Sequence, residues 1–186
     1  MTSSPSLVTR HSIALIGSEG MLATAVKQAA GDAWSIIPFD LPEFDLTDRE
    51  QVLLTLDDVQ PDVILNCAAY TNVDGCETEE ELATRVNGEG VGYLAEAARK
   101  TGATLVHIST DYVFDGNKRT PYLEEDVTGP ASAYGRSKLA GEQAILDSGL
   151  ENYFIIRTSW LYGPNGNNFV ETILRLAGER EELGIV

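Results

Sequence analysis

Apolar residues along this chain follow two rhythms. Short runs that are apolar at nearly every position, "SIALIG" (12–17), "WSIIPFD" (34–40), "PDVILNCAA" (61–69), "TLVHIST" (104–110) and "NYFIIRT" (152–158), read as strands. Between them lie stretches with apolar residues every three or four positions, which read as helices. These are "MLATAVKQAA" from residue 21, "LTDREQVLLTLDDV" from 46, a long region over about 77–101 stopping at Gly102, one opening at "AYGRSKLAGEQ" (133–143), and one through "NNFVETILRLAGERE". In the second helix Thr47 is placed to cap, with Glu50 three residues on completing a capping box. Strands apolar at most positions are buried on both faces, and their alternation with helices predicts a doubly wound parallel α/β sheet with helices on both faces. The segment "DYVFDGNKRTPYLEEDVTGPASA" (111–133) has no clean period, and a loop of that length inside a compact domain is usually functional. The final "ELGIV" reads as the opening of another strand, so the expected organisation is a flexible tail over 1–11 and one domain over 12–186 that is incomplete at its C-terminus.

Composition narrows the function classes. With 186 residues, 43% hydrophobic and 23% charged, the chain has enough apolar content for one soluble globular domain. A formal net charge of −16 repels a nucleic-acid backbone and an anionic membrane surface, so neither is an expected partner. The start "MTSSPSLVTRHS" lacks the apolar core of a signal peptide, and no run approaches a membrane span of ~20 residues, which predicts a cytoplasmic protein. Cys67 and Cys76 have no clustered histidine to complete a metal site and read as reduced thiols.

The turn after the first strand reads Gly17, Ser18, Glu19, Gly20, Met21, Leu22, Ala23, or G-x-x-G-x-x-A. Glycines at Gly17 and Gly20 permit a tight turn and a close backbone approach to a pyrophosphate, which would sit at the N-terminus of the next helix, while a small third residue allows close helix–strand packing. Glycines end many strands, so the signal gains weight from its place between the first strand and a helix, where it predicts a Rossmann-like dinucleotide site. Asp40 ends the second strand, where a carboxylate can accept hydrogen bonds from an adenosine ribose; with no basic residue nearby the site leans towards NAD(H). A solvated loop aspartate is the alternative.

Tyr134 and Lys138 stand four positions apart, on one face of a helix. Such pairs occur by chance in many helices, yet an ammonium near a phenol would lower its pKa and tune it as an acid and base. "HISTDYVF" adds Ser109, Thr110 and Asp111 at the end of the fourth strand, the edge where open parallel sheets bind ligands. A hydroxyl there can hold a carbonyl while the tyrosine protonates it.

Taken in order, "GSEGMLA", "NCAAYTNVD", "ISTDYVFDG", "YGRSKLAGEQ" and "RTSWLYGPNGNNFV" resemble the extended short-chain dehydrogenase/reductases, and most closely their dTDP-4-dehydrorhamnose reductase branch. The resemblance implies Thr110, Tyr134 and Lys138 as the catalytic set for NADH- or NADPH-dependent reduction of the C4 keto group of dTDP-4-dehydro-L-rhamnose. Tyr134 would be the proton donor, Thr110 would polarise the carbonyl, and Lys138 would hold the nicotinamide ribose and lower the tyrosine pKa. It further implies a cofactor along Gly17, Gly20, Met21, Leu22, Asp45, Leu46, Ala68, Ala69, Tyr70 and Thr71, a sugar nucleotide facing Asp111, Tyr112 and Trp160, and a homodimer. Several of these have plainer readings: Ala68 and Ala69 as strand-end packing, Trp160 as a core anchor, Asn87 as a buried backbone partner, Arg157 as the mate of a buried carboxylate. Two departures stand out. Ala23 replaces the third glycine, and the chain stops before the C-terminal substrate-binding portion that this family carries. A related dehydratase would carry Thr-Asp-Glu where this chain has Thr110, Asp111 and Tyr112, and a dinucleotide-binding regulatory subunit would have no need of Thr110, Tyr134 and Lys138 together.

Overall fold

The computed structural model describes residues 11–166, 168–180, 182 and 184. In chain order the elements are β1 (His11–Ile16), α1 (Met21–Ala30), β2 (Trp34–Phe39), α2 (Arg49–Val59), β3 (Val63–Asn66), α3 (Val73–Thr78), α4 (Glu80–Thr84), a π-helical turn (Arg85–Glu89), α5 (Gly90–Thr101), β4 (Thr104–Thr110), α6 (Ala133–Asp147), β5 (Tyr153–Thr158) and α7 (Phe169–Glu179). All strand pairs are parallel, in the order β2-β1-β3-β4-β5. The predicted doubly wound α/β architecture is therefore present. In this order the chain reverses direction across the sheet between β1 and β3, and the loops leaving those two strands diverge there to open a crevice.

Burial explains the strand pattern in the centre. Ala14, Leu15 and Ile16 are all buried, since β1 is covered on both faces. On one side α2, α5 and α6 supply Val52, Leu56, Val91, Leu94, Ala98 and Ile145 against Ala14, Ile16, Ile64 and Leu105; on the other, Ala23 and Val26 of α1 pack on Ile13, Leu15, Val63 and Leu65. Removing a fully buried leucine such as Leu56 or Leu94 from such a core costs about 2–5 kcal/mol.

Four expectations change. β5 is not buried on both faces: Phe154 is 63% exposed and Ile156 45%, because no described helix packs over the side of the sheet to which they point. The cap of α2 is Asp48, whose side chain accepts from the Gln51 N–H at 3.1 Å; Thr47 is instead drawn into a turn with Asp45, donating its backbone N–H and hydroxyl to that carboxylate, both at 2.8 Å. The long helix over 77–101 is broken at Glu79 (φ −125°, ψ 41°) and widened by the π turn at 85–89. His11, expected in the tail, begins β1, paired with Trp34. The rest of the expected tail, residues 1–10, and most of the expected "ELGIV" strand lie outside the described residues.

Because every strand is parallel, their C-terminal ends share one edge. Gly17, Asp40, Cys67, Asp111 and Ser159 each follow a strand directly at that edge.

Candidate active site

The first half of the cleft is shaped by backbone. Gly17 has φ +74°, and a Cβ there would lie 2.6 Å from the Ala68 nitrogen, so only glycine lets the β1 turn pass the chain leaving β3. The Gly17 and Ser18 N–H groups donate to the Phe39 carbonyl at 2.9 and 3.2 Å, tying the turn to the end of β2. α1 then opens at Met21 with no acidic residue in its first turn and no side-chain cap, leaving N–H groups free for an anion. Asp40 stands beside the turn, accepting from the Glu19 N–H at 2.8 Å and the Leu41 N–H at 2.9 Å, while the Glu19 carboxylate pairs with Lys27 at 3.2 Å. A cavity of about 360 Å³ here is lined by Gly17, Gly20, Asp40, Asp45, Leu46, Ala68 and Ala69 among others.

A second cavity, about 640 Å³, shares Glu19, Gly20, Cys67 and Ala69 with the first and carries on past Met21, Leu22 and Thr71 to Thr110, Asp111, Tyr112, Tyr134, Lys138 and Trp160. Together they form one trough that crosses the N-terminus of α1, and its lining fits an extended ligand with a central diphosphate and a ribose at the Asp40 end. Of the expected lining residues, Tyr70 is absent from both cavities. Its N–H donates to Asn87 Oδ1 at 2.9 Å, its carbonyl accepts from Asn87 Nδ2 at 3.0 Å, and its hydroxyl is held by Glu79. Trp160 is no core anchor, being 73% exposed at the trough with φ +54°, an uncommon backbone for a bulky residue.

In the second half, buried side chains do the shaping. Ser132 caps α6 by accepting from the Gly135 N–H at 3.1 Å, which sets Tyr134 in the first turn, and a Cβ at Gly135 would strike the Tyr112 carbonyl, so the helix start sits hard against the end of β4. Tyr134 packs edge-on to Tyr112, with ring centres 5.5 Å apart. Burial pushes the Tyr134 phenol up, and a hydrogen bond from the Thr110 hydroxyl partly opposes it. Thr110 is buried; its hydroxyl donates to Asp111 Oδ1 at 3.1 Å and its oxygen accepts from the Tyr112 N–H at 3.2 Å.

Lys138 corrects an expectation. It is 2% exposed, and its Nζ donates to the Ile108 carbonyl at 2.7 Å and lies 3.3 Å from His107 Nε2. Burial brings the lysine down to about 8, against the opposing pull of Glu142 and Cys67. Lys138 is absent from the charges that act on Tyr134, and the tyrosine pKa is raised where the sequence reading had the lysine lowering it. The physical reason is direction: the lysine nitrogen is committed to β4 and not to the phenol.

Ser109 is likewise committed elsewhere. Its hydroxyl donates to Glu142, a buried carboxylate that also takes two hydrogen bonds from Arg157, at 3.0 and 2.7 Å, so Arg157 meets a carboxylate and not a phosphate. Arg157 also lies 4.9 Å over the Phe114 ring, which stacks on Tyr122 at 4.2 Å, and this pins the irregular segment after β4. Asn87, in the π turn, donates to Ser137 Oγ at 3.0 Å as well as holding Tyr70, linking the chain after β3 to α6. Sequence reasoning missed Asn66, His107 and Glu142. A signal was available, since His107 and Ser109 alternate on one face of a strand whose other features called for burial, and buried polar groups require partners.

A family model described as the RmlD substrate binding domain matches residues 11–186. The dTDP-4-dehydrorhamnose reductase of Sinorhizobium fredii is 48% identical over 174 residues, covering 94% of this chain and 58% of its own. That of Escherichia coli is 42% identical over 178 residues, covering 94% and 59%. The crystal structure of the Bacillus anthracis dTDP-4-dehydrorhamnose reductase in complex with NADP superposes with a TM-score of 0.91 at 42% identity, covering 94% of this chain and 62% of that one. The chain thus spans about three-fifths of the length of these relatives. On the family match and these identities, the chain belongs to the RmlD substrate binding domain family.

Proposed function

We propose that the protein reduces the C4 keto group of dTDP-4-dehydro-L-rhamnose to dTDP-L-rhamnose, using NADH or NADPH. The observation that supports this best is that Tyr134 and Thr110 line one cavity in a trough continuous with the glycine turn. Two hydroxyls side by side can both donate to a carbonyl oxygen, polarising it for attack at carbon. With its pKa raised by burial, Tyr134 is protonated at neutral pH and is a ready acid for the far more basic alkoxide that forms. A reduced nicotinamide, when bound, supplies the hydride. Gly17, Gly20, Met21, Leu22, Asp40, Asp45, Leu46, Ala68, Ala69 and Thr71 are the proposed cofactor residues, with Lys138 at the nicotinamide ribose; Asp111, Tyr112 and Trp160 face the sugar nucleotide. Tyr70 contributes through its backbone position only.

Asp40 beside Glu19 at the ribose end puts negative charge where a 2'-phosphate would add more, which favours NADH over NADPH. The reading includes a cytoplasmic enzyme without nucleic-acid or membrane partners; among the described residues no helix is long and apolar enough to cross a membrane. A homodimer rests on family resemblance alone.

The test is oxidation of NADH and NADPH with dTDP-4-dehydro-L-rhamnose, by this chain and by the protein extended to the length of its relatives. Tyr134→Phe is expected to cut turnover by roughly 10²–10⁴-fold while cofactor affinity stays within about twofold. Equal turnover by the phenylalanine variant removes the assigned proton donor. Cofactor binding without turnover by the extended wild-type protein points to a regulatory dinucleotide-binding subunit.

A further inference from the structure

The first turn of α6, which carries Tyr134, is held from outside the helix. Ser132 accepts from the Gly135 N–H with its hydroxyl and from the Arg136 N–H with its carbonyl, at 3.1 and 2.9 Å, but that cap belongs to the helix and travels with it. The Ala133 N–H, one residue before Tyr134, instead donates to Glu77 Oε1 at 2.8 Å, a carboxylate 56 residues earlier on α3. A carboxylate suits that place, since a helix N-terminus favours negative charge and a charged acceptor makes the stronger hydrogen bond. Cys76, next to Glu77, is fully buried and packs with Ala83 against Ala133 and Tyr134, so α3 meets this turn with one apolar and one polar neighbour. α3 is in turn tied to the trough. It follows closely on the segment 68–71, where Asn87 clasps the Tyr70 backbone, and Asn72 caps it by accepting from the Gly75 N–H at 3.0 Å.

We propose that Glu77 is a positioning residue for Tyr134: its carboxylate fixes the start of α6 against the chain that lines the cofactor side of the trough, and so sets where the phenol stands relative to a bound nicotinamide. The inference rests on the reductase reading, in which Tyr134 is the proton donor. Glu77 lines neither cavity of the trough, so it acts only through the helix. From β4, the Tyr112 carbonyl comes so near that a Cβ at Gly135 would lie 2.3 Å from it, which keeps α6 from closing further on that strand. Glu77 supplies the hold from α3. The neighbouring link, Glu80 to Arg136 at 2.8 Å, joins two side chains that are 52% and 45% exposed, and an ion pair so open to water contributes little. That pair is the control for the proposal.

Three substitutions separate reach from charge. Glu77→Gln keeps an acceptor oxygen at the same reach and loses the charge, Glu77→Asp keeps the charge one carbon short, and Glu77→Ala loses both. In the protein extended to the length of its relatives, with dTDP-4-dehydro-L-rhamnose and NADH, Glu77→Ala is expected to lower kcat about tenfold or more, while the KM for the sugar and the Kd for NADH stay within about twofold. Glu77→Gln should recover at least about half of the wild-type kcat, since its oxygen still accepts the Ala133 N–H. Glu77→Asp should fall several-fold below the glutamine variant, and Glu80→Ala should match the wild type. In the 186-residue chain, without cofactor or sugar, nuclear Overhauser contacts between the Tyr112 and Tyr134 rings, whose centres are 5.5 Å apart, should survive in Glu77→Gln and weaken in Glu77→Ala and Glu77→Asp. A wild-type kcat in Glu77→Ala, an aspartate variant more active than the glutamine one, or a loss in Glu80→Ala as large as that in Glu77→Ala overturns the proposal. If the alanine variant does not fold, the order of the glutamine and aspartate variants still decides. Absence of turnover in the extended wild-type protein counts against the reductase reading alone, and the ring contacts then test Glu77 by themselves: contacts unchanged in Glu77→Ala and Glu77→Asp overturn its role.

Discussion

The two halves of the trough are built by different means. At the β1–α1 end the ligand surface is backbone: a glycine at φ +74°, N–H groups tied to Phe39, and an uncapped helix start. At the β4–α6 end it is side chain: Thr110, Lys138, His107 and Glu142 are all buried polar groups, each with a named partner. A surface made of backbone tolerates many side chains and fails when a Cβ is added. One made of buried polar groups tolerates little change of charge, because each group's desolvation is offset only by the few partners the fold supplies. The contrast suits the tasks proposed for the two ends, holding a diphosphate and handling a proton.

This contrast can be broken from either side. The largest expected effect is on the side-chain half: Glu142→Ala leaves the Arg157 guanidinium and the Ser109 hydroxyl without their acceptor and should cost about 4 kcal/mol in urea denaturation, while Glu142→Gln costs less. A loss below about 1 kcal/mol for the alanine variant would show the network to be solvated and the contrast overstated.

Next is the pH dependence of stability. The folded pKa of Lys138, about 8, lies below the 10.5 of an ordinary lysine, so folding releases a proton between those values and the lysine's contribution to stability strengthens by about 3 kcal/mol as pH rises through them. Cys67 acts oppositely: its folded pKa of about 11 is above the ordinary 9.0, so its contribution is present below 9 and fades towards 11. Lys138→Met should therefore abolish the rise above pH 8 and uncover the Cys67 decline, read from urea midpoints across that range. An unchanged profile would mean that the lysine is solvated.

On the backbone half, Gly17→Ala is expected to cost about 2 kcal/mol and at least about tenfold in cofactor affinity, since the new methyl meets the chain at Ala68 in a left-handed conformation. Retained affinity by calorimetry would mean that the β3 end yields. The smallest effect is at Asp40: Asp40→Ser should raise NADPH affinity relative to NADH by several-fold, on the order of 1 kcal/mol, with little change in stability. A ratio that does not move would free Asp40 from any part in cofactor choice.

How far the site could be read from the chain alone depended on how local each feature is. Tyr134 and Lys138 share a helix face because of their spacing, the glycine turn declares itself between strand and helix, and Thr110 ends a strand; all three are local properties. Lys138's direction is not, since His107 and Ile108 lie 31 and 30 residues away, and Asn66 a further strand over. Thr47 and Asp48 are adjacent residues that can both cap; the choice fell to Asp48 because Asp45 captures Thr47. The break at Glu79 and the π turn gave no periodic signal because apolar spacing continues through them. Tyr70 looked like a cofactor residue by motif, and only the partners Asn87 and Glu79 show its side chain turned away.

The order of strands and helices, the glycine turn and the Tyr134–Lys138 spacing were settled along the chain, because hydrophobic period and turn chemistry act over a few residues. The covered and bare faces of β5, the commitment of Ser109 and Arg157 to Glu142, and the hydrogen-bond chain from Asn66 to Lys138 were decided by the packed fold. Burial strips each of these polar groups of water, so its chemistry is set by whichever partner the sheet brings within 3 Å or so, however distant that partner is in sequence.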